Sequence, residues 1–293
     1  MRVSTSMTYG QARRTIGDRQ ATLAQVQQSI ATGRAVNRPS DDAPAARRIL
    51  RAEGLLGEVR SNRQTLDQGE RLLSISENAL TDAGHLTQRV TELTVQFASD
   101  TYSAADRRKA ADEVVQIRER LIELANAQDN GRFLFGGLGS SEPAFDASGH
   151  FTGDRGQLTY PVGRGAEVEV SLPGGEPFET SSPGTSLFDT LSRLETALRA
   201  DNGSAVGALV DEVREQQDRL TQAQQTIGHR LQRIENVRGA LARVEISATQ
   251  TLQNDREIDL AESIFQLRQA ETGLQGVLLV TARLDQLNLT NFL

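Results

Sequence analysis

The sequence predicts a mainly α-helical chain: a long antiparallel coiled-coil or bundle rod formed by the N- and C-terminal segments, with a small β-rich domain inserted between them. Three observations predict it. Apolar residues recur every seven positions near both ends: Tyr9, Ile16, Leu23 and Ile30 with Val26 on a second seam, and Leu220, Ile227, Ile234 and Leu241 with Val237, Val244 and Ile258 on the neighbouring one. A helix with so narrow an apolar stripe needs partner helices to bury it. Between them, residues 131–188 hold 12 of the 25 glycines, five of the seven prolines and seven of the twelve aromatics. Composition agrees, since hydrophobic residues make up 37% but aromatics only 4%, with no Trp. Thin helical seams use Leu, Ile, Val and Ala in place of large rings.

Five segments follow in order. Residues 1–35 form a terminal helix, closed by Gly33 and by Asn37-Arg38-Pro39, which cannot easily continue it. The spacing predicts a rod over 36–130. Ser40 supplies its N-cap oxygen, and Asp41 and Asp42 stand in the positive first turn. Leu66, Leu73 and Leu80 then recur at seven, followed by Leu86, Val90, Leu93 and Phe97. A break at 100–102 precedes Ser103, which with Asp106 resembles a capping box. The next helix carries Val114, Ile117, Leu121 and Leu124 and stops at the turn signal Asp129-Asn130-Gly131. Within 131–188, Leu158, Tyr160 and Val162 alternate with polar neighbours, as do Val168, Val170 and Leu172, around Gly163-Arg164-Gly165. That is a hairpin signal, in a domain small enough to need support from the rod or from neighbouring subunits. Helix resumes near Ser186, with the second rod segment at 189–255 and the C-terminal helix at 256–293. From an N-cap at Ser204 to about Leu287 there is no proline, so a continuous helix there would run about 120 Å at ~1.5 Å per residue. Leu274, Leu278, Leu284, Leu287 and Leu289 extend its apolar side.

Chemistry is sparse. His85, His150 and His229 lie far apart without metal-ligand spacing, and no phosphate-cradling glycine loop precedes a helix. Paired carboxylates such as Asp41 and Asp42 are accounted for by a helix first turn. The expectation is a chain that is not an enzyme and takes no cofactor or metal. No Cys is present, which removes disulfides, thiolate sites and Cys nucleophiles together. A net charge of −7 argues against a nucleic-acid partner. The short basic groups at Arg13-Arg14, Arg47-Arg48 and Arg107–Lys109 read as solvated helix faces. No apolar run reaches the ~18 residues of a membrane span, and the N-terminus lacks the apolar stretch of a cleaved secretory signal.

The segment Thr32-Gly33-Arg34-Ala35-Val36-Asn37-Arg38-Pro39-Ser40-Asp41-Asp42 reads either as a capped helix start or as a subunit contact on a rigid loop, placed at Asn37, Pro39, Ser40, Asp41 and Asp42. This run resembles the early signature of the flagellin superfamily. The start Met1-Arg2-Val3-Ser4-Thr5, the run Asn130-Gly131-Arg132-Phe133-Leu134-Phe135-Gly136-Gly137, and the downstream stretches 228–235, 258–262 and 284–289 resemble that superfamily in the same order. The opening, the Pro-Ser-Asp-Asp run and the Phe-Leu-Phe-Gly-Gly run are similar to its hook–filament junction family more than to flagellins. The ending Asn291-Phe292-Leu293 fits neither.

The resemblance implies an extracellular structural part of the bacterial flagellum, exported by the flagellar type III pathway without a cleaved signal. Its terminal helices would pair as a coiled coil facing the tube interior. Its partners would be flagellin, another hook-associated junction protein, further copies of itself in a ring, and an export chaperone at the C-terminal helix. The interface expected from the periodicity comprises the seam residues named above, with both tails disordered until assembly. A short flagellin that forms the filament itself is the alternative. A chemoreceptor-type signalling coiled coil lacks its expected membrane spans here.

Overall fold

In the computed structural model, residues 5–99, 101–139, 141–163, 165–179 and 186–289 are described. The side chains of 5, 6, 8, 9 and 284–289 lie outside that description, so Tyr9, Leu284, Leu287 and Leu289 are placed on helices but their contacts are not described. The chain is mainly helical: α1 (Thr5–Thr32), α2 (Ala43–Phe97), α3 (Ala104–Ala125), α4 (Leu187–Arg199), α5 (Gly203–Ala208), α6 (Val210–Arg256) and α7 (Leu260–Leu289). Four short strands interrupt them: β1 (Gln128–Asp129), β2 (Arg132–Phe133), β3 (Thr159–Pro161) and β4 (Glu167–Glu169). The chain divides into two compact units, residues 58–242 and the two flanking pieces 1–57 and 243–293.

In the central unit, α2 and α6 pack antiparallel. Thr91 lies against Gln217 at 3.2 Å, Thr81 against Gln224 at 3.4 Å, and Asp67 and Glu70 against Arg238 at 2.9 and 2.7 Å. The seven-residue spacings become the shared core: Leu66, Leu73 and Leu80 from α2 meet Leu220, Ile227 and Ile234 from α6, all essentially inaccessible. α3 and α4 add Val114, Ile117 and Leu121, and Leu187, Leu191, Leu194 and Leu198. Amphipathic helices of this kind are held by packing of one face more than by propensity.

The insert joins that same core. Phe135, Phe145, Phe178 and Phe188 are buried; Phe135–Phe178, Phe145–Phe178 and Phe145–Phe188 meet edge-to-face at centroid distances of 5.3–5.6 Å, and Phe178 stacks on Phe188 at 6.0 Å. The glycine-flanked hairpin forms as the alternation implies, with Tyr160 opposite Val168, and Val162, Val168, Val170 and Leu172 turned inwards. Arg230 and Arg233 of α6 hold it, through Glu169 at 2.9 Å and the Glu167 carbonyl at 3.1 Å. Its approach to α2 is so close that a Cβ on Gly69 would sit 2.5 Å from Val170 Cγ1.

Several boundaries differ from the sequence reading. The α3 helix stops at Ala125, and Asn130-Gly131, both at positive φ, form a two-residue turn between β1 and β2. Ser103 caps α3 as expected, accepting from the Asp106 N–H at 3.2 Å and donating to its carboxylate at 2.7 Å. Ser40 and Ser204 are not caps. Asp42 and Asn202 serve instead, accepting from the N–H groups of Ala45 and Ala205 at 2.9 Å. The long C-terminal helix is broken at 257–259, where Asp259 caps α7 by accepting from Ala261 at 2.9 Å and Glu262 at 3.2 Å. Arg107, read as solvated, is only 3% exposed. It donates to the Asp201 carboxylate and to the carbonyls of Phe97 and Ser99, tying three helix ends together.

Candidate assembly interface

The terminal unit is organised around two helix breaks that meet. Gly33, at φ +68, ends α1 in the left-handed conformation that glycine adopts without strain. Arg34 then bridges Glu257 in antiparallel fashion, the Ala35 N–H donates to the Arg256 carbonyl at 2.8 Å, and the Ile258 N–H reaches the Gly33 carbonyl at 3.4 Å. Ion pairs brace the helices on either side: Arg48 with Asp255 through two bonds of 2.7 and 2.8 Å, and Arg256 with Glu53 at 2.8 Å. The Arg48 guanidinium holds the Asp255 carboxyl below the usual carboxylate range.

The polar loop residues each satisfy local backbone. Asn37 accepts from the Thr32 hydroxyl at 2.8 Å and donates to the Arg34 carbonyl at 3.1 Å. One oxygen of Asp41 accepts from the N–H groups of Asn37 and Arg38 at 3.2 and 2.8 Å. Arg38-Pro39-Ser40-Asp41 is a β-turn closed at 2.9 Å, with Pro39 at the position its fixed φ favours and Ser40 exposed beside it. Rigidity in this loop therefore arises within the chain.

Beyond the break, α1 and α7 pack as an antiparallel pair. Gln11, Ala12 and Thr15 border a groove with Gly276, Val277 and Val280, whereas Thr22, Val26 and Ser29 border one with Ile258, Glu262 and Gln266. Ile16, Leu23, Val26, Ile30 and Leu274 are half-buried along this pair. Ile258 lies in the break between α6 and α7, off the helical seam, and is half-buried there. Val244 and Leu278 are exposed. Leu220, Ile227 and Ile234 are instead inside the central core, with Val237 and Leu241 half-buried against it.

The burial pattern of the terminal unit is inverted relative to a self-sufficient core. What it buries is small, namely Ala45, Ala46, Ala52, Ala248, Ser263 and Ala270 with Ile49. What it exposes is large: Met7, Leu260, Ile264, Phe265 at 63%, Leu278, Leu279 at 65%, and Val280. So many large apolar side chains left exposed along one helix mark an interaction surface. Leu260, Ile264, Phe265 and Leu279 were not among the expected seam residues, although each stands at a multiple of seven from one that was: Leu260 from Leu274, Ile264 from Leu278, and Phe265 and Leu279 from Ile258. No described helix is long and apolar enough to cross a membrane. Among the described residues no cluster of His, Asp and Glu has the makings of a metal site.

Residues 3–140 match the family described as the bacterial flagellin N-terminal helical region. That match takes in nearly half of the chain. Similar proteins include flagellar hook-associated protein 3 of Escherichia coli strain K12, 28% identical over 213 residues, which covers 71% of this chain and 67% of that one. The namesake from Salmonella typhimurium is 28% identical over 61% of this chain and 57% of its own length. The flagellar filament 33 kDa core protein of Treponema phagedenis is also 28% identical but aligns with 47% of this chain and 48% of its own length. The fold is that of the flagellar junction protein FlgL from Legionella pneumophila, with a TM-score of 0.61 at 15% identity, covering 72% of this chain and 100% of that one.

Proposed function

We propose that this chain is a non-enzymatic structural adaptor of the bacterial flagellum, placed between the hook side and the flagellin filament. The observation that carries the proposal is the inverted terminal unit, whose α1/α7 pair buries small residues and leaves Phe265, Leu278 and Leu279 facing outwards. A helix pair of that composition gains its missing core only from neighbours. Alignment with hook-associated protein 3 over 71% of this chain, against 47% for the filament protein, favours the junction role over that of a short flagellin.

On this reading the protein works outside the cell and is exported without a cleaved signal peptide. A chaperone masks the apolar α7 face before export. Copies associate in a ring, with flagellin on one side and a second hook-associated protein on the other. The seam residues Ile16, Leu23, Val26, Ile30 and Leu274, together with Leu278, pack against neighbouring terminal helices, and Asn37, Pro39, Ser40, Asp41 and Asp42 present a rigid loop to the adjacent subunit. Both terminal helices are loosely held in the free chain and order on assembly, so ordering entropy offsets part of the burial gain. Deletion of the gene in its host should leave hooks without filaments and release flagellin into the medium, and expression of the chain should restore filaments. Normal filaments in the deletion strain would overturn the proposal.

A further inference from the structure

We infer that copies of this chain join head to tail, the Phe265–Glu262 face of one copy's α7 seating in an arginine-rimmed apolar groove of the next. The inference rests on the assembly reading above and deepens it by naming a contact. The groove holds about 460 Å³ and lies between α2 and α6 within the terminal unit. Ala52, Leu55, Val244 and Ala248 form its floor, and Arg51 and Arg243 stand at its rim. A third arginine there, Arg48, is already engaged by Asp255. Arg51 and Arg243 make no ion pair among the described residues. An apolar floor beneath two unneutralised guanidinium groups fits a flat hydrophobe carrying a carboxylate beside it.

The chain supplies such a group. Of the described phenylalanines, Phe265 alone is exposed, the others being buried or half-buried. Glu262 lies three residues earlier on α7, so at ~100° per residue its carboxylate projects within about 60° of the ring. Gln266 steadies that carboxylate at 3.0 Å, and Glu262 has no cationic partner among the described residues. The exposure of Phe265 also means that its own chain leaves the ring unpacked. A guanidinium over the ring face and another on the carboxylate would satisfy both surfaces at once. Because patch and groove are different surfaces of one chain, the contact is heterologous, the kind that closes into a ring or propagates as a helix.

Charge reversal tests the inference. Glu262→Arg alone, and Arg51→Glu with Arg243→Glu, are each expected to lower self-association about tenfold or more, as read by sedimentation velocity and by the amount of chain bound to isolated hook ends. All three changes in one chain should restore it. Circular dichroism melting of each variant should stay close to the parent, since the altered side chains are on the surface and Glu262→Arg forfeits only the small contribution of an acid in the first turn of α7. Hook binding that ignores the charge changes would overturn this contact and leave the junction reading standing. Charge-dependent self-association without any binding to hooks would do the reverse. Variants that bind hooks normally but no longer accept flagellin would assign the groove to flagellin and overturn the second-copy contact. A parent chain that neither self-associates nor binds hooks would overturn both.

Discussion

Ile234 and Phe265 make a discriminating pair, because one seam-like apolar residue is inside the chain and the other faces out. Ile234 is fully buried on α6 among α2 and insert residues. Ile234→Ala removes about three carbons at ~0.8 kcal/mol each, and a residual cavity of roughly 50 Å³ adds about 1 kcal/mol. The expected loss is about 3–4 kcal/mol. With a urea slope of about 2 kcal/mol per molar, the unfolding midpoint should fall by ~1.5–2 M. Phe265→Ala removes a larger side chain that is 63% exposed, so the midpoint should move by less than about 0.3 M. Assembly should respond the other way, with Phe265→Ala weakening it while the folded chain is intact. The assay is equilibrium urea unfolding followed by circular dichroism, with hook binding scored separately. Equal midpoint shifts for the two variants would refute the division into an internal seam and an external apolar face.

Asp259→Ala should fray the start of α7 and cost about 1 kcal/mol, as should Asp42→Ala at α2; hydrogen exchange at residues 257–263 and 42–46 would register each loss locally. Arg107→Ala should lower the midpoint by an amount consistent with about 2–4 kcal/mol, because it strands the carbonyls of Phe97 and Ser99 and the Asp201 carboxylate. An unchanged melt would mean those carbonyls find water. Asp255 has its carboxyl value lowered from 3.8 by Arg48, so its contribution is complete above that pH and is lost as pH falls through the lowered value. Melts of the parent and Asp255→Asn should therefore differ at neutral pH, and the difference should shrink as pH falls below 3.8 and through the lowered value.

The central core was legible because Leu66, Leu73 and Leu80, and Leu220, Ile227 and Ile234, occupy the period that a packed helix must use. The β3–β4 hairpin was legible for the same kind of reason, alternation about a glycine-bearing turn. The break at 257–259 was not, since neither proline nor glycine marks it. It is fixed by tertiary bonds from Gly33 and Ala35, partners more than 200 residues away in sequence. Asp259 with Glu262 at the capping-box spacing was the one local signal. Cap positions slipped two residues from Ser40 to Asp42 and from Ser204 to Asn202, because several acceptors stood close together and only backbone geometry chose between them. The outward face of α7 was legible only in part: Phe265 and Leu279 continue the spacing of Ile258, and Leu260 and Ile264 that of Leu274 and Leu278, but spacing alone does not tell a seam buried within the chain from one left exposed. Arg107 shows the limit for charge, for nothing local distinguishes it from Arg108 beside it.

Electron microscopy of the purified chain, alone and with isolated hooks followed by flagellin, tests the adaptor role most directly. The account predicts no filaments from the chain alone, decoration confined to hook ends, and flagellin growth only from decorated ends. Long filaments formed by the chain without hooks would contradict it and make the protein a flagellin.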